Sequence, residues 1–234
     1  MTPIAHFEAV WKRCDQLSAL YAYLSKNVSG VLQPEELLRA EWVTRVSSLD
    51  LYIHELVAQE MLATFNGGRP VSSGYSRFQI SNETLHRIRT ALTPSDASAA
   101  FDSQTPQGRL NRGNASTPSD ASAAFDLEVR DRLSYLTFQD PDKIAEGIRL
   151  ISNIELWNEV ALKLGATLAT KAASAKHLKM ELSLVVQRRN KIAHEGDLQP
   201  SLLREPWPIS QSDLALVAEL IERIVKTIDT IVCL

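Results

Sequence analysis

The sequence predicts an all-α helical bundle, and three observations carry that prediction. Apolar residues recur at three- and four-residue steps through most of the chain, the spacing that places them on one face of a helix. Helix-starting and helix-stopping residues punctuate those stretches. No convincing strand pattern interrupts them. At 234 residues, 44% of them hydrophobic and only 9 of them glycine, the chain can bury a real core, and it is read as one domain over 1–234.

Residues 4–24 carry Ile4, Phe7, Trp11, Cys14, Leu17, Leu20 and Leu24 on one side, an amphipathic helix that the Lys26-Asn27-Val28-Ser29-Gly30 stretch should break. Pro34 followed by Glu35 and Glu36 opens a second helix, with acids at the positive end of its dipole. It should run to about Phe65, before Asn66-Gly67-Gly68, long enough to form one wall of the bundle. The Gly-, Ser- and Pro-containing stretch 69–80 reads as a loop. Ser81 or Asn82 caps a third helix ending at Leu92.

Residues 93–125 are irregular. TPSDASAAFD occurs at 93–102 and again, identically, at 117–126, with SQTPQGRLNRGNAS between the copies. The intervening residues are not duplicated, so this is no solenoid. Removing 24 residues, one copy with the insert, leaves a single TPSDASAAFD between Leu92 and Leu127. The segment 93–125 is therefore read as an inserted surface loop.

A helix over about 126–138 follows, then one announced by Asp140-Pro141, a cap followed by proline at the first helical position. The next starts at Ser152 or Asn153 and ends at Gly165, and another begins between Thr170 and Ala175. Pro200, Pro206 and Pro208 exclude regular helix from the stretch that contains them. Ser210 or Ser212 caps a final helix with Leu216, Leu220, Ile224, Ile228 and Ile231 on one side.

The stretch VVQRRNKIAHEGD, at 185–197, organises the functional reading. At about 100° per residue, Leu178, Leu182, Val185 and Ile192 share one face, while Arg189, Asn190, Ala193 and His194 fan out beside it. Gly196 is the natural left-handed residue to end that helix. Of the five histidines, only His194 has an arginine, Arg188 or Arg189, a helical turn or so upstream.

At Arg189-Asn190-Lys191-Ile192-Ala193-His194 the sequence resembles the HEPN superfamily, whose signature is an Arg, usually followed by a polar residue, with a His four to six intervening residues later. The likeness extends to Arg39-Ala40-Glu41-Trp42, to 49–56 and to Phe138-Gln139-Asp140-Pro141-Asp142-Lys143-Ile144. Together these resemble the bacterial HEPN group related to the HEPN domain of ribonuclease L. The resemblance implies a HEPN-like bundle, a homodimer with both motifs in one cleft, and RNA cleavage to 2′,3′-cyclic phosphate and 5′-OH ends. It also implies a toxin or phage-defence setting, with an antitoxin or regulatory protein as a further partner.

The residues suit that chemistry. In RNA the ribose 2′-OH is an internal nucleophile, so a protein must remove its proton, protonate the leaving 5′-oxygen and steady a charged phosphorane. Imidazole suits the first two tasks and guanidinium the third, which assigns His194 and Arg189 as catalytic, with Asn190 orienting the site. Arg188 and Lys191 are candidate RNA-backbone contacts. Asp50 and His54, four apart on a helix, are a candidate supporting polar pair. A histidine at a helix end can also simply serve terminal carbonyls and the dipole, and HEPN-like bundles also act as noncatalytic dimerising or adaptor modules. The intact Arg-Asn…His favours the enzyme.

Composition bounds the rest. The net charge of −3 argues against an all-over nucleic-acid footprint. Between Val160 and His194, however, seven cations face the single Glu181, a surplus of six, so the remainder of the chain carries nine excess negative charges. That local surplus reads either as a solvated lysine face or as a basic channel to the Arg–His pair. No cofactor or metal is expected: there is no Gly-rich phosphate loop, no His-x3-His and no cysteine pair. Cys14 and Cys233 are expected as reduced thiols. The N-terminus has no signal-peptide core and no apolar run spans a bilayer, so a soluble cytoplasmic protein is expected.

Overall fold

In a computed structural model the chain is described over residues 1–28, 33–92 and 120–233. Helix α2, Glu35–Phe65, is the axis around which the rest is arranged. Leu38, Val46, Leu49, Tyr52, Ile53, Leu56, Val57 and Met61 along it all have zero exposure. Those positions cover more than one face, and a helix that is apolar on several faces must be enclosed. It is therefore the interior helix of the bundle and not the wall that its length alone suggests.

Helix α1, Pro3–Asn27, starts where the Thr2 hydroxyl accepts from the Ala5 amide, and it packs along α2 through Phe7 and Cys14. The seam between them also carries charge. Buried Glu41 accepts from the Ser18 hydroxyl at 2.6 Å and from Arg45, whose guanidinium lies 4.4 Å from the centre of the Trp11 ring. Burying these ions is tolerable because each has a partner.

Helix α3 spans Asn82–Leu92, with the Ser81 hydroxyl accepting from the Thr84 amide at its start. Helix α4 is Asp120–Ser134. The first copy of TPSDASAAFD and the stretch after it fall in residues 93–119, outside the described residues. The rest of the second copy departs from the expected surface loop: its DASAAFD is the first two turns of α4. Ala121, Ala124 and Phe125 are buried there, and the Phe125 ring stacks on Phe65 at 4.4 Å. Burial of that aromatic extends the helix six residues earlier than the turn-rich composition suggests.

Helix α4 also stops four residues short of the expected Phe138, because that residue is drawn elsewhere. The Phe138 ring is buried against Gly147, where a Cβ would lie 2.8 Å from the ring, and beside the His54 ring. Asp140 caps helix α5, Pro141–Arg149, by accepting from the Asp142 amide. Helix α6, Leu156–Lys163, begins later than Ser152 or Asn153 because the Asn153 side-chain oxygen, Oδ1, instead accepts from the Ser73 amide. Helix α7, Lys171–Glu195, carries the motif, and Gly196 ends it at φ 64°.

Residues 197–207 form a short loop closed by the Leu198–Pro206 bridge. Helix α8, Gln211–Val232, opens with a capping box between Ser210 and Asp213. Its buried face runs through Leu214, Val217, Ile221, Ile224, Val225 and Ile228; Leu216, expected on that face, is 68% exposed. The Leu214–Val217–Ile221 row continues into Ile224 and Ile228 at helical spacing, and Leu216 lies off it. Helices α1, α4, α5, α7 and α8 all pack on α2. Among the described residues there is no strand and no helix long and apolar enough to cross a membrane.

Candidate active site

The end of α7 is held in place by two residues of α2 one turn apart. The Trp42 indole nitrogen donates to the Val185 carbonyl at 3.0 Å. Arg39 donates through Nε to the Asp197 carboxylate at 3.0 Å and through a terminal nitrogen to the Trp207 carbonyl at 2.7 Å. Asp197 is fully buried at φ 58°, just past Gly196, and its amide donates to the Lys191 carbonyl. Two consecutive left-handed residues turn the chain back under the helix, so that Asp197 points into the bundle.

This geometry separates the two neighbouring arginines of the motif. Arg188 faces inward, donating to Asp197 at 2.7 Å and to the Pro208 carbonyl at 3.1 Å, with its guanidinium over the Trp42 ring. It clamps the helix end to the bundle, a role beyond the RNA-backbone contact expected of it. Arg189 faces the other way. Among the described residues it makes no ion pair; it donates to the Asn190 side-chain oxygen at 3.1 Å, and its buried Nε has no hydrogen-bond partner.

Arg189, Asn190 and His194 line one recess of about 410 Å³, together with Gln139 and Asp140 from the α4–α5 linker. Asn190 and His194 are exposed and Arg189 half-buried. The opposite wall of the recess is fixed from α2. Asp50 accepts from the Phe138 amide and, at 3.0 Å, from the Gln139 side-chain amide, while His54 Nε2 lies 3.5 Å from the same carboxylate. The structure thus puts Asp50 and His54 behind the linker and not in the recess. Lys191 is exposed at the helix end, 5.9 Å from the centre of the Trp207 ring.

From the sequence no role is assigned to the Asp197 carboxylate, to Arg39 or to Gln139, which the structure brings to the helix end and the recess. A signal for the latter two exists, since 39–42 and 138–144 carry the family likeness. For Asp197 the signal was its place directly after Gly196. Among the described residues no three His, Cys, Asp or Glu side chains gather in a way that would hold a metal ion, and Cys14 and Cys233 are unpaired.

An all-α bundle that presents Arg-Asn…His from the C-terminal end of a long helix defines a HEPN-class domain. The chain belongs to the RiboL-PSP-HEPN family, whose model matches residues 11–234. No curated protein and no solved structure matches the chain.

Proposed function

We propose that this protein is a metal-independent endoribonuclease, acting as a homodimer and serving as a toxin or phage-defence effector in the cytoplasm under the control of an antitoxin or regulatory protein. The observation that carries the chemistry is the division of labour at 188–189: one arginine is consumed by Asp197, while the next shares a recess with His194 and, among the described residues, forms no ion pair, although Asp140 also lines that recess. A guanidinium without an ion-pair partner beside an exposed imidazole suits an RNA phosphate.

His194 of one copy takes the proton of the ribose 2′-OH, and the 2′-oxygen attacks the adjacent phosphorus. Arg189 stabilises the added negative charge, with Asn190 fixing the guanidinium plane through its side-chain oxygen. The P–O5′ bond breaks, leaving a 2′,3′-cyclic phosphate, and the 5′-oxygen receives a proton from His194 of a second copy. In-line attack requires base and acid on opposite sides of the phosphorus, and each chain offers one such histidine at the motif. The exposure of His194 leaves it open to a second copy.

The test is to incubate the purified full-length chain with labelled RNA in EDTA and analyse the product ends. Cyclic phosphate and 5′-OH ends that disappear with His194→Ala support the reading. Intact RNA leaves the noncatalytic HEPN module in its place, and products with 3′-OH ends overturn attack by the 2′-OH.

A further inference from the structure

A second concavity, of about 560 Å³, adjoins the recess, and the two share Ser183 and Gln187 of α7 as lining residues. It lies between α7 and the α5–α6 region. At about 100° per residue, Lys176, Met180, Ser183, Gln187, Asn190 and His194 fall within an arc of roughly 80°, so a single helical face lines the groove and ends at the motif. From Lys176 to His194 that face is about 27 Å long at the rise of an α-helix, room for a single-strand site of roughly four nucleotides.

The groove has the two chemistries that a single strand presents. Its floor is apolar and kept low by Ala145, Ala172 and Ala175, and Met180 and Leu184 stand exposed along it at 55% and 63%. The lining cations are Arg149, Lys176 and Lys179, against Asp142 and Glu155. Asp142 is already paired with Lys179 at 2.6 Å, which leaves Arg149 and Lys176 against Glu155.

Resting on the ribonuclease reading above, we propose that this groove is the path of the substrate strand, binding single-stranded RNA beside the cleaved bond, with bases against Met180 and Leu184 and backbone phosphate on Lys176. A second copy of the chain fits the face less well. A twofold contact centred here would bring the two lysine-bearing rims together, and like charges across an interface oppose association.

The test uses the full-length His194→Ala chain as the binding parent and fluorescein-labelled single-stranded RNA of random sequence. Lys176→Gln is expected to weaken binding and to flatten the dependence of log affinity on log salt concentration by about 0.7, one phosphate contact on a single strand. Met180→Ser is expected to weaken binding about fivefold with that slope unchanged, the size of a lost sulfur–ring contact. With His194 intact, both substitutions should raise KM for RNA cleavage.

Wild-type chain that cleaves RNA, with both variants matching their parents in affinity, slope and KM, overturns the groove assignment alone. A wild-type chain that does not cleave RNA, together with a His194→Ala parent that does not bind it, removes the ribonuclease reading and this inference with it. Lost affinity accompanied by a change from dimer to monomer in sedimentation gives the face to a second copy and also overturns the inference.

Discussion

Arg188 and Asp197 meet at 2.7 Å beneath the C-terminal end of the motif helix, nine residues apart in sequence and joined by the turn at Gly196. Arg39 reaches the same carboxylate oxygen from α2. The contact fixes which way the helix end faces, and with Arg188 turned inward Arg189 is left on the recess side. Asp197→Ala would strand two arginines against the core and is expected to destabilise the chain by about 3–5 kcal/mol. Asp197→Asn tolerates the left-handed backbone, so it separates charge from strain. Denaturant unfolding of both variants checks this; equal stability of Asp197→Ala and wild type would contradict the clamp.

His194→Ala should leave unfolding stability within about 0.5 kcal/mol, because the side chain is exposed, while RNA cleavage falls by roughly a hundredfold or more. Arg189→Lys keeps the charge but lacks the fork and should also lose most activity. Wild-type cleavage rates in either variant would remove that residue from the chemistry.

Acid stability should depend on Glu128. Its carboxylate is held down to about 2, first by the Thr84 hydroxyl and then by Arg132 and the Ser81 amide and hydroxyl. A carboxylate depressed in the folded state contributes stability above its ordinary value of 4.5 and loses it as pH falls toward 2. Glu128→Gln should therefore be less stable than wild type at neutral pH, with the gap closing over that window. A constant gap from neutral pH down to 2 would refute the assignment.

The repeat yields a folding prediction and a functional one. Deleting residues 93–116 joins Leu92 to Asp120 through residues 117–119, a connection of the length found in αα-hairpins, roughly two to five residues. Helices α3 and α4 already pack together, and the copy that supplies Phe125 is retained. The shortened chain should fold with the same helical content. Phe125→Ala in either length should cost about 3–5 kcal/mol. We further expect the shortened chain to be the more toxic form, as it should be if the longer segment restrains the site or the dimer. Equal toxicity and equal cleavage rates in side-by-side expression would make the insertion neutral.

Helix existence and the position of the motif were legible in the sequence because both depend on local rules. Three- and four-residue apolar spacing, Pro and Ser at starts and Gly196 at a stop act over one or two turns, and they located most of the helices and placed Arg189, Asn190 and His194 at the end of one of them. What each element touches was not legible, since that depends on residues far apart in the chain. The DASAAFD segment looks like a loop by composition, yet it is helix because Phe65 lies where Phe125 can stack. Helix α2 looks like a wall by length, yet it is interior because five other helices pack on it. Arg188 and Arg189 are adjacent and chemically identical, so spacing alone gives no reason to rank them. Only a buried carboxylate at Asp197 and the Trp42 ring on a distant helix decide that the first is a clamp and the second faces the recess.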